Sequence, residues 1–234
     1  SEYTGSHIPK RQIERIAAHC SQDFDDFYSV KECSNTADLD DPLILTIDGK
    51  GIVVRTQDLR EVTQKAAQSN EQKLKYRRSK GEKPNRKRMA TVAAVYTQER
   101  FERIPEEILG IDEEDDAPKW QLPRPKDKRV FASIEKTSLQ AMDEVFREAL
   151  RRDPEQKRQW IVLVDGDRQQ IRRVNQMSKK YSATVTIIVD FIHVLEYIWK
   201  AAYGFHDDGS EAAEDWVTER ALLVLYGEAT QVAA

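Results

Sequence analysis

The sequence predicts an α/β protein built on a mixed five-stranded sheet, three antiparallel strands followed by parallel ones, with flanking helices and a basic/acidic insertion. Three observations carry that expectation. Residues 43–48, 160–165 and 184–190 are short, β-branched apolar runs of the kind that form buried strands, and each ends in an aspartate. The early strand-like segments follow one another without a helix, as a meander does, whereas the later ones alternate with helices and so must be parallel crossovers. Residues 135–152 carry an apolar stripe of Leu139, Met142, Val145, Phe146 and Leu150, which is an amphipathic helix made to cover a sheet.

Each element has its own signal. Residues 1–41 form an N-terminal helical segment, with helical periodicity over 9–30 through Ile13, Ile16, Ala17, Phe24 and Phe27 and a polar, turn-rich stretch at 31–41. Residues 42–203 form the core. Its first strand ends at Asp48, and Asp48-Gly49 between two β-rich runs predicts a hairpin into a second strand at 51–55. Residues 56–88 are polar and basic, with a loop at 79–84. Residues 89–96, small and β-branched after this breaker cluster, read as the third strand. Residues 98–128 read as a polar insertion broken by Pro105, Pro118, Pro123 and Pro125, and 129–134 as a short extended piece. The helix at 135–152 precedes the strand at 160–165. A helix at 167–181 then turns Ile171, Val174 and Met177 inward. The strand at 184–189 and an apolar helix at 191–203 complete the core, and Trp160, Trp199 and Trp216 are expected to fill it. A loop at 206–210 leads into a last helix starting near Glu211, so residues 204–234 read as the start of a helical insertion domain. Three strands joined by short links and then crossovers make the ribonuclease H-like arrangement; a plain doubly wound fold would alternate strand and helix from the start.

Composition bounds the function. Net charge is −4 over 234 residues, so the chain as a whole is not a basic nucleic-acid coat. The charge is nevertheless segregated. Residues 65–88 hold ten Lys or Arg against two Glu, and 102–116 hold eight Asp or Glu against one Arg. Such blocks are solvated, and a basic one can contact phosphates. Cys20 and Cys33 have neither disulfide-framework nor metal-ligand spacing, so free thiols in a reducing compartment are expected. With no signal peptide and no apolar run of the roughly 18 residues that span a bilayer, a soluble cytoplasmic protein without a membrane partner is expected. Both ends read as cuts, since the chain starts at Ser1 and stops just after the helical pattern of residues 216–226.

The strand-ending aspartates carry the chemistry. Carboxylates delivered beyond the carboxyl ends of different strands can converge on a divalent metal. Asp48 is a candidate ligand and equally a turn residue favoured before glycine. In Val164-Asp-Gly-Asp167, Asp167 is the better placed helix cap, which frees Asp165 for a ligand role. Asp190 and His193 are three apart on one helix face and so are neighbours; they read as a supporting pair or as a cap with a partly buried histidine. In the basic block, Lys73, Lys75, Arg77, Arg78, Lys80, Lys83, Arg86, Lys87 and Arg88 are the candidate DNA-phosphate contacts.

These residues resemble the ISKra-type family of bacterial insertion-sequence transposases, which are DDE transposases. The resemblance is carried by Asp48-Gly-Lys-Gly51, Ser79-Lys-Gly-Glu-Lys-Pro-Asn-Arg-Lys-Arg-Met-Ala90, Val92-Ala-Ala-Val-Tyr96, Arg151-Arg-Asp-Pro154, Leu163-Val-Asp-Gly166 and the long Val189-Asp-Phe-Ile-His-Val-Leu-Glu-Tyr-Ile-Trp-Lys-Ala-Ala202. It implies a ribonuclease H-like catalytic core holding two divalent ions, Mg2+ or Mn2+, with two Asp and one Glu. Asp48 is then the first carboxylate and Asp165 the second. Asp190-Phe-Ile-His193 looks like the Cys/Asp-x-x-His element that related transposases carry after the second Asp. The implied activity is cleavage and strand transfer of insertion-sequence DNA, with element ends and target DNA as partners; a homo-oligomer is compatible with it. No glutamate here has the context of the family's third carboxylate, so weak or absent activity is expected of this chain by itself. An inactive derivative that binds DNA and regulates transposition is the alternative. A haloacid-dehalogenase-like phosphatase is disfavoured because Lys50 stands where its second Asp would be, and no Gly-rich strand-to-helix turn supports a small-molecule-binding α/β domain.

Overall fold

The computed structural model describes residues 9–30, 39–69, 74, 76, 87–111 and 122–232. The chain divides into two units, residues 1–36 and 37–234. In the first, the expected helical stretch is two helices, α1 (Lys10–Cys20) and α2 (Phe24–Val30). Ser21 closes α1 by donating its backbone N–H to Ala17 O at 3.1 Å.

The second unit holds a five-stranded mixed sheet in the order β3-β2-β1-β4-β5. Its elements are β1 (Leu43–Val53), α3 (Glu61–Gln68), β2 (Lys87–Thr97), α4 (Pro105–Leu109), β3 (Lys126–Ser133), α5 (Ser138–Arg152), β4 (Trp160–Val164), α6 (Arg168–Tyr181), β5 (Val185–Val189), α7 (Phe191–Ala202), α8 (Glu211–Leu225) and α9 (Ala229–Val232). β1 pairs antiparallel with β2 and β2 with β3, whereas β1–β4 and β4–β5 are parallel. Three antiparallel strands and then parallel crossovers are as expected, but two of the antiparallel three differ from the expected ones.

The hairpin at Asp48-Gly49 is not formed. β1 continues through Gly49, Lys50 and Gly51 to Val53, paired with β2 along its whole length from Leu43↔Thr97 to Val53↔Lys87. The two glycines serve packing across the strands. A Cβ on Gly49 would lie 3.3 Å from Met89 Cε, and one on Gly51 would lie 3.1 Å from Lys87 Cδ. Their backbones are outside the positive-φ region that a two-residue turn of this type requires. The third antiparallel strand is β3, which is longer than the expected piece at 129–134 and begins inside the expected insertion. The links between these strands are therefore long rather than short, at 54–86 and 98–125.

One sheet face is the core. Leu43, Leu45 and Ile47 of β1, Ala93 and Val95 of β2, and Trp160, Val162 and Val164 of β4 pack with Met142, Val145 and Phe146 of α5 and Val174 and Met177 of α6. Alternate positions on each strand supply these residues, as the twofold period of a strand demands. Burying a side chain of this size stabilises by about 1.5–3 kcal/mol. A second cluster joins Ile198 and Ala202 of α7 to Val217 and Ala221 of α8, with Leu109, Trp199 and Trp216 against it. Of the three tryptophans, Trp160 is fully buried and the other two half-buried. No helix among the described residues is long and apolar enough to cross a membrane, and Cys20 is an exposed free thiol, whereas Cys33 lies outside the described residues.

Candidate functional site

The sheet register brings the three aspartates to one level. β1 and β4 align Thr46 with Leu163, and β4 and β5 align Val164 with Val189. Carried forward, the same registers put Asp48 level with Asp165, and Asp165 level with Asp190. Leu45 and Ile47, Val162 and Val164, and Val185 and Ile187 face the core. By alternation, Asp48, Asp165 and Asp190 belong to the opposite face.

Each carboxylate is held by a local backbone bond. Asp48 is exposed and accepts the Gly49 N–H at 2.6 Å. It stands within β1, at the point where β4 stops pairing, rather than at a chain turn. Asp165 is half-buried and accepts the Asp167 N–H at 2.9 Å across the turn made by Gly166. Gly166 has φ 91°, a conformation that glycine adopts without strain. Asp167 caps α6 by accepting the Gln169 N–H at 3.0 Å, as expected of it. Asp190 caps α7 by accepting the Ile192 N–H at 3.0 Å, while its own N–H donates to Val164 O at 2.8 Å. Burial first, and then the negative charge of Asp190, push the Tyr96 phenol on β2 above its ordinary value.

Asp165, Gly166, Asp167, Val189, His193 and Glu196 line a cleft of about 470 Å³. His193 is half-buried on its wall, one turn into α7, so the cap at Asp190 fixes the helix that presents it. Glu196 is paired with Lys200 at 3.5 Å. Among the described residues, no group of three or more His, Cys, Asp or Glu has the arrangement of a metal site. Two carboxylates still match a hard cation such as Mg2+, which takes one or two protein carboxylates and completes its shell with water and substrate phosphate.

Of the candidate phosphate contacts, Lys73, Lys75, Arg77, Arg78, Lys80, Lys83 and Arg86 lie outside the described residues. Lys87 is exposed at the start of β2. Arg88 is engaged within the fold: Nη2 donates to Glu135 Oε1 at 2.8 Å and Nη1 to Asp58 O at 3.4 Å. It ties β2 to the turn before α5.

Sequence reasoning passes over Gln170. Only 8% exposed on α6, it donates from Nε2 to Ile47 O at 2.6 Å and accepts the Asp165 N–H on Oε1 at 3.0 Å. A glutamine inside a helical stripe gives no sign of this, because its partner on β1 is 123 residues away. Compared with protein-family models, curated proteins and solved structures, the chain matches none.

Proposed function

We propose that this chain carries two carboxylates of a metal-dependent phosphoryl-transfer centre of the DDE transposase type, on a ribonuclease H-like sheet, and that its substrate is DNA. The observation that supports this most is the level placement of Asp48 and Asp165 on adjacent parallel strands, on the face turned away from the core. The sheet order β3-β2-β1-β4-β5 is compatible with that fold.

When bound, Mg2+ or Mn2+ would supply Lewis-acid polarisation of a phosphoryl oxygen and a hydroxyl nucleophile available near neutral pH. Asp48 and Asp165 would provide the oxygen ligands. The Gly49 and Asp167 N–H groups each hold one carboxylate oxygen and so limit the rotation of the ligand. Asp190 anchors α7 and thereby sets His193 on the cleft wall. The basic block at 65–88 would neutralise DNA phosphates.

The test is to replace Asp48 and Asp165 singly by Asn, which keeps shape and removes charge. Mn2+ binding to the chain, followed by calorimetry, should fall by more than the roughly 10- to 100-fold that loss of an outer-shell partner costs. DNA processing by a protein carrying the complete carboxylate set should fall to background. Metal binding and DNA processing that survive both changes would refute the reading. Metal-dependent nicking of DNA by this chain is expected to be weak or absent, since none of its glutamates has the context of a third carboxylate, and robust Mg2+-dependent nicking would contradict this. A non-catalytic DNA-binding derivative is the second reading, motivated by the sequence, in which no glutamate has the context of the third carboxylate. It predicts DNA binding indifferent to both substitutions and to divalent metal.

A further inference from the structure

A side chain replaces one rung of the β1–β4 ladder. Leu43 N–H donates to Gln159 O at 2.9 Å, which sets the phase of the parallel pairing. Leu43, Leu45 and Ile47 are the β1 residues whose N–H and C=O groups point at β4. In that phase, the rung after the last aligned pair, Thr46–Leu163, would join Ile47 O directly to the Asp165 N–H. Gln170 takes both ends of it instead, donating to Ile47 O at 2.6 Å and accepting from Asp165 N–H at 3.0 Å. No ladder register continues past that point. The seam is thus one amide wider just where the two strands deliver their carboxylates.

We propose that Gln170 is a positioning residue, whose amide wedges apart the ends of β1 and β4 and so sets the separation of Asp48 and Asp165 for a divalent cation. The proposal rests on the metal-site reading above. A direct rung would draw the strands to ladder spacing, about 4.8 Å, and bring two like charges together with it. The interposed amide satisfies the Ile47 carbonyl and the half-buried Asp165 N–H while keeping the strands apart, a task that needs a donor and an acceptor on one side chain of this length.

The experiment compares the unaltered chain with Gln170→Ala and Gln170→Glu. Gln170→Ala allows Ile47 O and Asp165 N–H to close into a direct rung. Gln170→Glu keeps the length and the acceptor but loses the donor. Mn2+ is titrated against each while paramagnetic broadening of amide NMR signals around residues 48 and 165 is followed, and the Asp165 amide shift and the melting temperature are recorded without metal. The expected result is a loss of Mn2+ affinity of about 10- to 100-fold in both variants, with a displaced Asp165 amide signal in the metal-free chain. Where Gln170→Ala does not fold, Gln170→Glu decides. Unchanged Mn2+ affinity in the folded Gln170 variants, with binding still lost in Asp48→Asn and Asp165→Asn, overturns the positioning role and leaves the metal site standing. No Mn2+-dependent broadening in the unaltered chain overturns the site and this proposal with it.

Discussion

Glu148 is a buried acid whose charge is kept by arginines from two elements. Its side chain accepts from Arg129 at 2.7 Å, Arg151 at 2.9 Å and Arg152 at 2.8 Å. Burial pushes its carboxyl up, and the hydrogen bonds from the three guanidinium groups outweigh that, lowering it from 4.5 to about 2. A group lowered in the folded state stabilises above its unfolded value, and the benefit is lost as pH falls toward the folded value. The contribution is on the order of 3 kcal/mol, present above about pH 4.5 and gone near pH 2. Glu148→Gln should therefore lower the melting temperature at neutral pH and flatten its pH dependence between these limits; an unchanged acid profile would contradict the network. The sequence places Glu148 three and four residues before Arg151 and Arg152, a spacing that makes them neighbours on a helix. What it cannot show is Arg129, which arrives from β3. Gln170 is hidden for the same reason, whereas the Asp167 cap could be read because a helix cap is local.

At the scale of elements, local grammar is reliable for the helices that cover the sheet, silent on α3 and α4, and misleading for two of the antiparallel strands, β1 and β3. α5 is fixed by its apolar stripe and by a capping box, in which Gln140 N–H donates to Thr137 Oγ1 at 3.3 Å and Thr137 N–H to Gln140 Oε1 at 2.8 Å. Thr137→Ala should cost about 1 kcal/mol, measured as a lower urea midpoint at unchanged slope. The strands β4 and β5 are legible because each is a short, β-branched apolar run between helical stretches, although only β4 is central and β5 stands at the sheet edge. β1 misleads because Asp-Gly is a turn signal only when the flanking strands pair with each other. Here β2 pairs with both halves and keeps the glycines extended. Gly49→Ala and Gly51→Ala should then change stability by less than about 1 kcal/mol, since the strand conformation favours alanine by roughly 0.5–1 kcal/mol and only Met89 and Lys87 must shift. A large drop in stability in both would indicate a turn after all.

For the molecule as a whole, the segregated charge is the feature that sequence displays best and structure adds least to, since most of the basic block falls outside the described residues. If that block meets DNA, changing Lys73, Lys75, Arg77 and Arg78 to Gln should weaken binding alike for all sequences. It should also reduce the slope of log affinity against log salt by about 0.9 for each duplex phosphate no longer neutralised, measured by fluorescence anisotropy over a salt series. An unchanged slope would remove the block from the interface. The mixed sheet is legible from the order of its later strands and helices. The pairing of its antiparallel half is not, because long links at 54–86 and 98–125 separate the partners. The β1–β2 pair also outruns its neighbours. Residues 50–53 and 87–90 pair with each other beyond the last registers of β3 and β4, a ribbon of roughly 13 Å at about 3.3 Å per residue. Such a ribbon imposes a rule on how this chain can lengthen or shorten over generations. A single extra residue there turns every outer side chain beyond it to the other face unless a bulge absorbs it, whereas paired changes in even numbers keep the facing intact. The span between Asp48 and the segment that leaves Val53 should therefore drift by whole pleats.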